Sequence, residues 1–276
     1  MTSSPGELIL AAGRHDRHYW RDLWRYRELF YFLAWRDLLV RYKQTAIGIA
    51  WAVIRPFVTM VVFSVVFGFL AKLPSHGVPY PILVFSAILP WQLFANALSE
   101  CSGSLTGNAN LIAKVYFPRL IIPASAVIVS IVDFLMAGMI LVGLMAWYNF
   151  IPSWRILTLP AFILLALLTS MGAGLWLAAL SVKYRDFRTV VPFMIQFGLY
   201  ISPVGFSSNI VPEWWRWLYS LNPMVSVIDG FRWAILGNTA ELYLPGFLLS
   251  SVLAVLVFVG GIRFFRRYER TFADVI

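Results

Sequence analysis

Few side chains in this sequence could do chemistry, and the most telling of them lie inside apolar runs. Arg55 interrupts GIAWAVIRPFVTMVVFSVVFGFL at 48–70, and Asp133 falls near the middle of a long apolar stretch at 120–148. A charge at such depth is costly and usually faces protein or water. Trp51, Arg55 and Thr59 share a helical face, so Arg55 either snorkels to nearby headgroups or stands at a pore mouth. Arg55 and Asp133 differ in depth by roughly 10 Å at 1.5 Å per residue, which argues against a direct ion pair. Gln92, Asn96 and Ser99 recur at helical spacing. Such a polar face either joins helices or lines a cavity. Phe193, Phe197 and Tyr200 make an aromatic stripe at i, i+4 and i+7, a pattern that packing or lipid contact also explains.

Several chemistries are excluded. The four lysines precede Gln44, Leu73, Val115 and Tyr184, so the chain has no phosphate-binding G-x-x-x-x-G-K-[ST] loop and is not its own ATPase. No aspartate begins a D-x-D, and no two carboxylates share a membrane helix. His15, His18 and His76 fall in tails or loops, which leaves no Ser/His/Asp arrangement. With one cysteine, Cys101, there is no internal disulfide and no expected metal cluster. One Asp and one Arg at depth are too few for a charged proton relay, and the halves show no repeat. Any energy must come from a separate protein.

The elements that position these residues follow from composition. The chain has 276 residues, 60% hydrophobic and 13% charged, against about 25% charged in soluble domains. It is expected to be an all-α integral membrane protein. MTSSPGELIL is unlike a cleaved signal peptide. Residues 1–22 read as a cytoplasmic tail, and 23–276 as one transmembrane domain. Within it, 23–43 is an interfacial amphipathic helix. Trp24, Tyr31, Trp35, Leu38 and Tyr42 share one face and Arg25, Glu28, Arg36 and Lys43 another, while Arg27, Asp37 and Arg41 fall off the stripe. This helix either anchors to lipid or also docks a cytoplasmic partner. Six spans are expected at about 48–70, 81–99, 120–148, 156–182, 189–206 and 242–262. Met171-Gly172-Ala173-Gly174 allows close helix approach in the fourth.

Between the last two spans, 209–237 reads as a re-entrant hairpin. Its pieces, Pro212–Leu221 and Pro223–Leu236, reach only ~15–21 Å against a ~30 Å core. Pro212 and Pro223 suit first helical positions, Asn222 an N-cap and Gly237 a stop. Trp214, Trp215, Trp217, Tyr219 and Trp233 favour the membrane boundary. Backbone broken at that depth must border protein or a water-filled pathway. The pairs Glu213/Arg216 and Asp229/Arg232 sit at i,i+3, where exposed pairs support a helix by ~0.2–0.5 kcal/mol. Apart from Arg55, only Lys72, Arg155, Arg216 and Arg232 fall on the side opposite the two basic tails. The net charge of +9 therefore reports topology, with both termini cytoplasmic, rather than nucleic-acid binding.

GIAWAVIRPF, NANLIAKVYFPRLIIP, IVDF, YRDF, ISPVGF and LNPM occur in that order on the expected spans. In these motifs residues 25–262 resemble the permease subunits of type-2 ABC exporters, in the branch that exports O-antigen, capsule and teichoic-acid polysaccharides. The resemblance implies a homodimer in the cytoplasmic (inner) membrane of a bacterium, bound to two copies of a separate cytoplasmic ATPase. That partner would carry ATP and magnesium, and this chain would bind no cofactor. The resemblance also implies coupling roles for Asn110–Pro118 and Tyr184–Arg188. The coupling residues expected are Arg36, Arg41, Lys114, Phe117, Arg119, Arg185 and Asp186. Pro212, Trp214, Trp217, Asn222, Pro223, Asp229 and Arg232 would form an outer gate. A lipid-linked glycan offers hydroxyl edges and C–H faces, which suit amides and aromatic platforms. Trp51, Arg55, Gln92, Asn96, Phe193, Phe197 and Tyr200 are the path expected for it. A type-2 permease for a small molecule or drug, and a non-ABC membrane enzyme or channel, are the alternatives.

Overall fold

The computed structural model describes residues 19–43, 49–75, 77–237, 240 and 242–272. The expected tail over 1–22 lies outside the described residues apart from 19–22, as do His15, His18 and His76. Among the described residues every regular element is helical.

Five helical stretches are long and apolar enough to cross a membrane: Ala50–Leu70, Tyr80–Gly107, Ile121–Trp147, Trp154–Lys183 and Leu244–Tyr268. The first joins α3 (Ile49–Phe63) to a wider turn over Ser64–Leu70. The others contain α4 (Tyr80–Gly107), α6 (Ile121–Trp147), α7 (Leu159–Lys183) and α11 (Leu244–Tyr268). A short α5 (Ala109–Lys114) follows α4. The expected span at 189–206 is instead α8 (Phe187–Ile201), of 15 residues, or about 22 Å. It stops early because Ser202 precedes Pro203, and a residue before proline is driven out of the helical region. Ser202 accordingly has φ −84° and ψ 151°.

The expected interfacial helix is broken at Tyr26 into α1 (Tyr19–Arg25) and α2 (Arg27–Lys43). Trp24, Tyr31 and Trp35 of the anticipated stripe are exposed, and so are Phe32 and Val40. Leu33 and Ala34 turn inward, and α2 packs along α6. The helix thus has a bundle-facing side as well as an exposed aromatic one.

The centre of the bundle is α4, packed chiefly against α6 and α7. Lipid tails are as apolar as leucine, so close packing rather than water exclusion must hold such helices together. Gly172 shows this at the α7–α11 crossing. A Cβ there would lie 2.6 Å from the Phe258 Cα, so only glycine permits the approach. At the end away from the termini, Phe231 is fully buried and meets Phe134 edge-on at 6.2 Å. At the other end Leu33, Cys101, Phe117, Ile121, Phe265 and Phe272 form a second core.

The segment between α8 and α11 contains α9 (Glu213–Tyr219) and α10 (Pro223–Leu236). Neither is long enough to span, at ~10 and ~21 Å. Asn222 caps α10 by accepting from the Met224 N–H at 3.1 Å, and Pro223 is the first helical residue. Gly237 ends α10 at φ +68°, where a Cβ would be strained. Pro212 sits one position before α9, as its cap rather than its first residue.

A polar cavity at membrane depth and a stapled hairpin

Gln92 and Asn96 continue as a stripe to Glu100, each one helical turn and a fraction further along α4. Trp51 and Arg55 approach from α3, Arg41 and Tyr42 from the end of α2, and Asp133 from α6. Together they line a cavity of about 420 Å³. Arg41 bridges its two acids: Nη1 donates to Glu100 Oε1 at 2.6 Å, and Nη2 lies 2.6 Å from Asp133 Oδ2. The Tyr42 hydroxyl donates to the other Asp133 oxygen. Asp133, whose side chain is 7% exposed, is therefore held by α2. Arg55 lines the same cavity, and its guanidinium lies 5.9 Å from the Trp51 ring centre. Arg41 and Arg55 formally balance Glu100 and Asp133, so the lining is neutral. Amides, a phenol and paired charges in such a space suit a hydroxyl-rich ligand better than a free ion.

The structure thus gathers Trp51, Arg55, Gln92 and Asn96 from the expected path. It places Phe193, Phe197 and Tyr200 elsewhere, on an open face of α8 at 57%, 54% and 68% exposure. The Phe193 and Phe197 rings are 4.5 Å apart. With exposed Phe57, Val58 and Val61 on α3 and Val65 in the turn after it, they form two apolar faces that stand open among the described residues. Arg41, Tyr42, Glu100 and Asp133 form a group that sequence spacing did not assemble. Glu100 was detectable, as the next residue on the Gln92/Asn96 face; the Arg41–Asp133 meeting joins distant segments and had no local signal.

The hairpin is held by a second group. When α8 ends at Ile201, its last carbonyls and those of the following turn lose helical partners. Residues 202–205 are buried, so these oxygens need protein donors. Arg232, 4% exposed, donates from Nη1 to the Phe206 carbonyl at 2.7 Å and from Nη2 to that of Val204 at 3.0 Å. Its Nε reaches toward the Leu83 carbonyl at 3.4 Å. Tyr80 Oη donates to the Gly205 carbonyl at 3.1 Å, and Tyr219 Oη to that of Ile201 at 2.7 Å. Asn222 Nδ2 donates to Ser202 Oγ at 3.0 Å. At neither i,i+3 position do the charged atoms come within 4 Å among the described residues: Arg232 hydrogen-bonds main-chain oxygens, and Arg216 donates to the Val211 carbonyl at 3.3 Å. The Arg232 charge still acts on the buried Asp229, so the guanidinium serves the stranded carbonyls and the carboxylate together. Trp214 and Trp217 remain exposed, while Asp229 and Arg216 border a pocket of about 300 Å³.

The residues expected to couple to a partner divide into two sets. Lys114, Arg185 and Asp186 are exposed. Arg36 donates to Asp37 and to Asn108 Oδ1, each at 2.7 Å. Phe117 is buried, and Arg119 is bound to Glu269. No group of three or more His, Cys, Asp or Glu side chains able to hold a metal occurs among the described residues.

Bilayer-length apolar helices, a broken hairpin and a polar cavity among the helices define a multi-pass membrane protein of the transport type. The chain belongs to the ABC-2 type transporter family, whose model matches residues 28–236. It is similar to the O-antigen export system permease protein RfbA of Myxococcus xanthus, at 27% identity over 259 residues, covering 93% of this chain and 98% of that protein. The protein of the same name from Klebsiella pneumoniae is 26% identical over 251 residues, covering 87% of this chain and 92% of that one. The polysialic acid transport protein KpsM of Escherichia coli is 23% identical over 223 residues, covering 79% and 81%.

Proposed function

We propose that this chain is the membrane permease of an ATP-driven exporter that moves a lipid-linked polysaccharide across the bacterial inner membrane. The observation that carries the reading is the neutral polar cavity of Gln92, Asn96, Arg55 and the Arg41–Asp133 group, within a chain whose relatives are named for O-antigen and polysialic acid transport. A polymer of hydroxyls needs hydrogen-bonding groups along its route and gains little from a net charge. Two copies would meet through the apolar faces of α3 and α8, which would bring Phe193, Phe197 and Tyr200 to a shared conduit. Two copies of a separate ATPase, holding ATP and magnesium, would press on the exposed segments around Lys114 and Arg185. The basic tails support cytoplasmic termini, and the hairpin around Arg232 would then close the outer mouth.

Deletion of the chain in its host tests this reading. The mutant should accumulate lipid-linked glycan in the inner membrane and lose it from the cell surface. A mutant with normal surface glycan and no internal pool would refute the assignment. Affinity purification of the wild-type chain should also recover a protein with a nucleotide-binding P-loop.

A further inference from the structure

Two segments far from it in sequence converge on Glu269, in the turn that follows α11. Glu269 Oε1 accepts from the Arg119 backbone N–H at 2.7 Å and from Tyr19 Oη at 3.3 Å. The Arg119 guanidinium returns the contact by donating to the Glu269 carbonyl. Arg266 lies over the Tyr19 ring at 4.3 Å, and Phe272 is buried against Phe265 with ring centres 5.3 Å apart. Burial raises the Glu269 carboxyl above its usual range, and its bonds to Arg119 and Tyr19 pull it partly back. A carboxylate held in this way between remote segments is positioned, not a solvated surface charge.

The place of Arg119 gives the cluster its meaning. Between α5 and α6 the chain shows an exposed tip at Lys114, Val115 and Tyr116, then turns inward at buried Phe117 and Pro118. Arg119 is therefore the next firm attachment after the tip. A push on the tip can reach α6 only if the segment beyond it does not yield. Phe117 packs in the core, but packing alone lets a short loop slide; directional bonds to a fixed acceptor do not.

We infer that Glu269 is a positioning residue: the C-terminal turn straps the α5–α6 loop to α1 and α11, so that force applied at residues 114–116 is delivered to the bundle. This inference rests on the export reading for the source of the force. The strap itself is a property of the chain alone.

The test uses Glu269→Ala and Glu269→Gln in the full chain, with its co-purifying ATPase. Glu269→Gln keeps an oxygen acceptor for both donors. Hydrogen exchange of the amides at 115–122 should rise at least tenfold in Glu269→Ala and stay near wild type in Glu269→Gln. In the complemented deletion strain, Glu269→Ala should lower surface glycan at least fivefold. The ATPase rate of its complex in nanodiscs should stay within twofold of wild type, and Glu269→Gln should restore most of the surface glycan. Wild-type exchange in Glu269→Ala would overturn the strap. So would faster exchange with unaltered surface glycan, because the loop would then move without consequence. Loss of the complex in both variants would overturn it too, by showing a general folding role. If the wild-type chain brings down no ATPase, the export reading fails, and the exchange measurement still decides the strap.

Discussion

Arg232→Met should loosen the broken backbone after α8 more than any other single change in the hairpin. The arginine is 4% exposed and makes two hydrogen bonds of normal length, to Phe206 at 2.7 Å and Val204 at 3.0 Å. The 3.4 Å approach to Leu83 lies beyond the usual hydrogen-bond range and contributes little. Hydrogen bonds to charged groups contribute about 1.5–3 kcal/mol each. Two would total ~3–6 kcal/mol, and relaxation of the vacated site favours the lower end, about 3 kcal/mol. At 1.4 kcal/mol per tenfold, local opening of residues 202–206 should become more frequent by about two orders of magnitude. Methionine roughly matches the aliphatic stem, so what is lost is the donors and the positive charge beside Asp229. Hydrogen exchange of the amides of Val204 to Ser207, in protein held in lipid nanodiscs, reads the opening directly. Arg232→Lys should fall between, because one ammonium does not reproduce the forked geometry of a guanidinium. Exchange at these amides unchanged within threefold in Arg232→Met would show that the carbonyls are held by something else and that Arg232 does not staple the hairpin.

The cavity and the strap give three more expectations. Asp133→Asn keeps shape but removes one of the two carboxylates on Arg41; since Arg41 is 32% exposed, the 3–5 kcal/mol of a fully buried pair shrinks to about 1–2 kcal/mol. A double-mutant cycle with Arg41→Gln, read by thermal unfolding, should return that coupling, and a value near zero would remove the bridge. Asn96→Leu should cut surface glycan several-fold without loss of assembly if the cavity lies on the route, whereas Phe197→Ala and Tyr200→Ala should do so only if α8 faces the conduit; unaltered export in all three would take both features off the path. The raised carboxyl of Glu269 fixes a sign: its contribution to stability is fully present below its unfolded value of about 4.3 and is lost as pH rises through the higher folded value. Thermal stability of Glu269→Gln should lack that part of the pH slope, and parallel wild-type and variant profiles would contradict it.

What could be read from sequence was local. Asn222, Pro223 and Gly237 sit within one helix and carry cap, start and stop signals that depend on a few neighbours, and α10 lies where they place it. The end of α8 was equally local, because Ser202–Pro203 marks it, but the apolar run through Val204 and Phe206 concealed the break. Gln92 and Asn96 announced a polar face, though not what lay opposite. The partners of Asp133 and Arg232 were illegible for a different reason. Arg41 reaches Asp133 across 92 positions, and Arg232 reaches loop carbonyls whose need for donors exists only once α8 has stopped. Spacing within a helix suggested Asp229 for Arg232, and the two charges do act on one another, but the hydrogen bonds of Arg232 go to carbonyls of another segment.

The cancelling charges in the cavity bear on how the protein meets the membrane voltage. Moving one elementary charge through 100 mV involves about 2.3 kcal/mol. Arg41, Arg55, Glu100 and Asp133 sum to zero, and three of them are tied together. If helices carried all four together through the same part of the electric field, these charges would add no net electrical work.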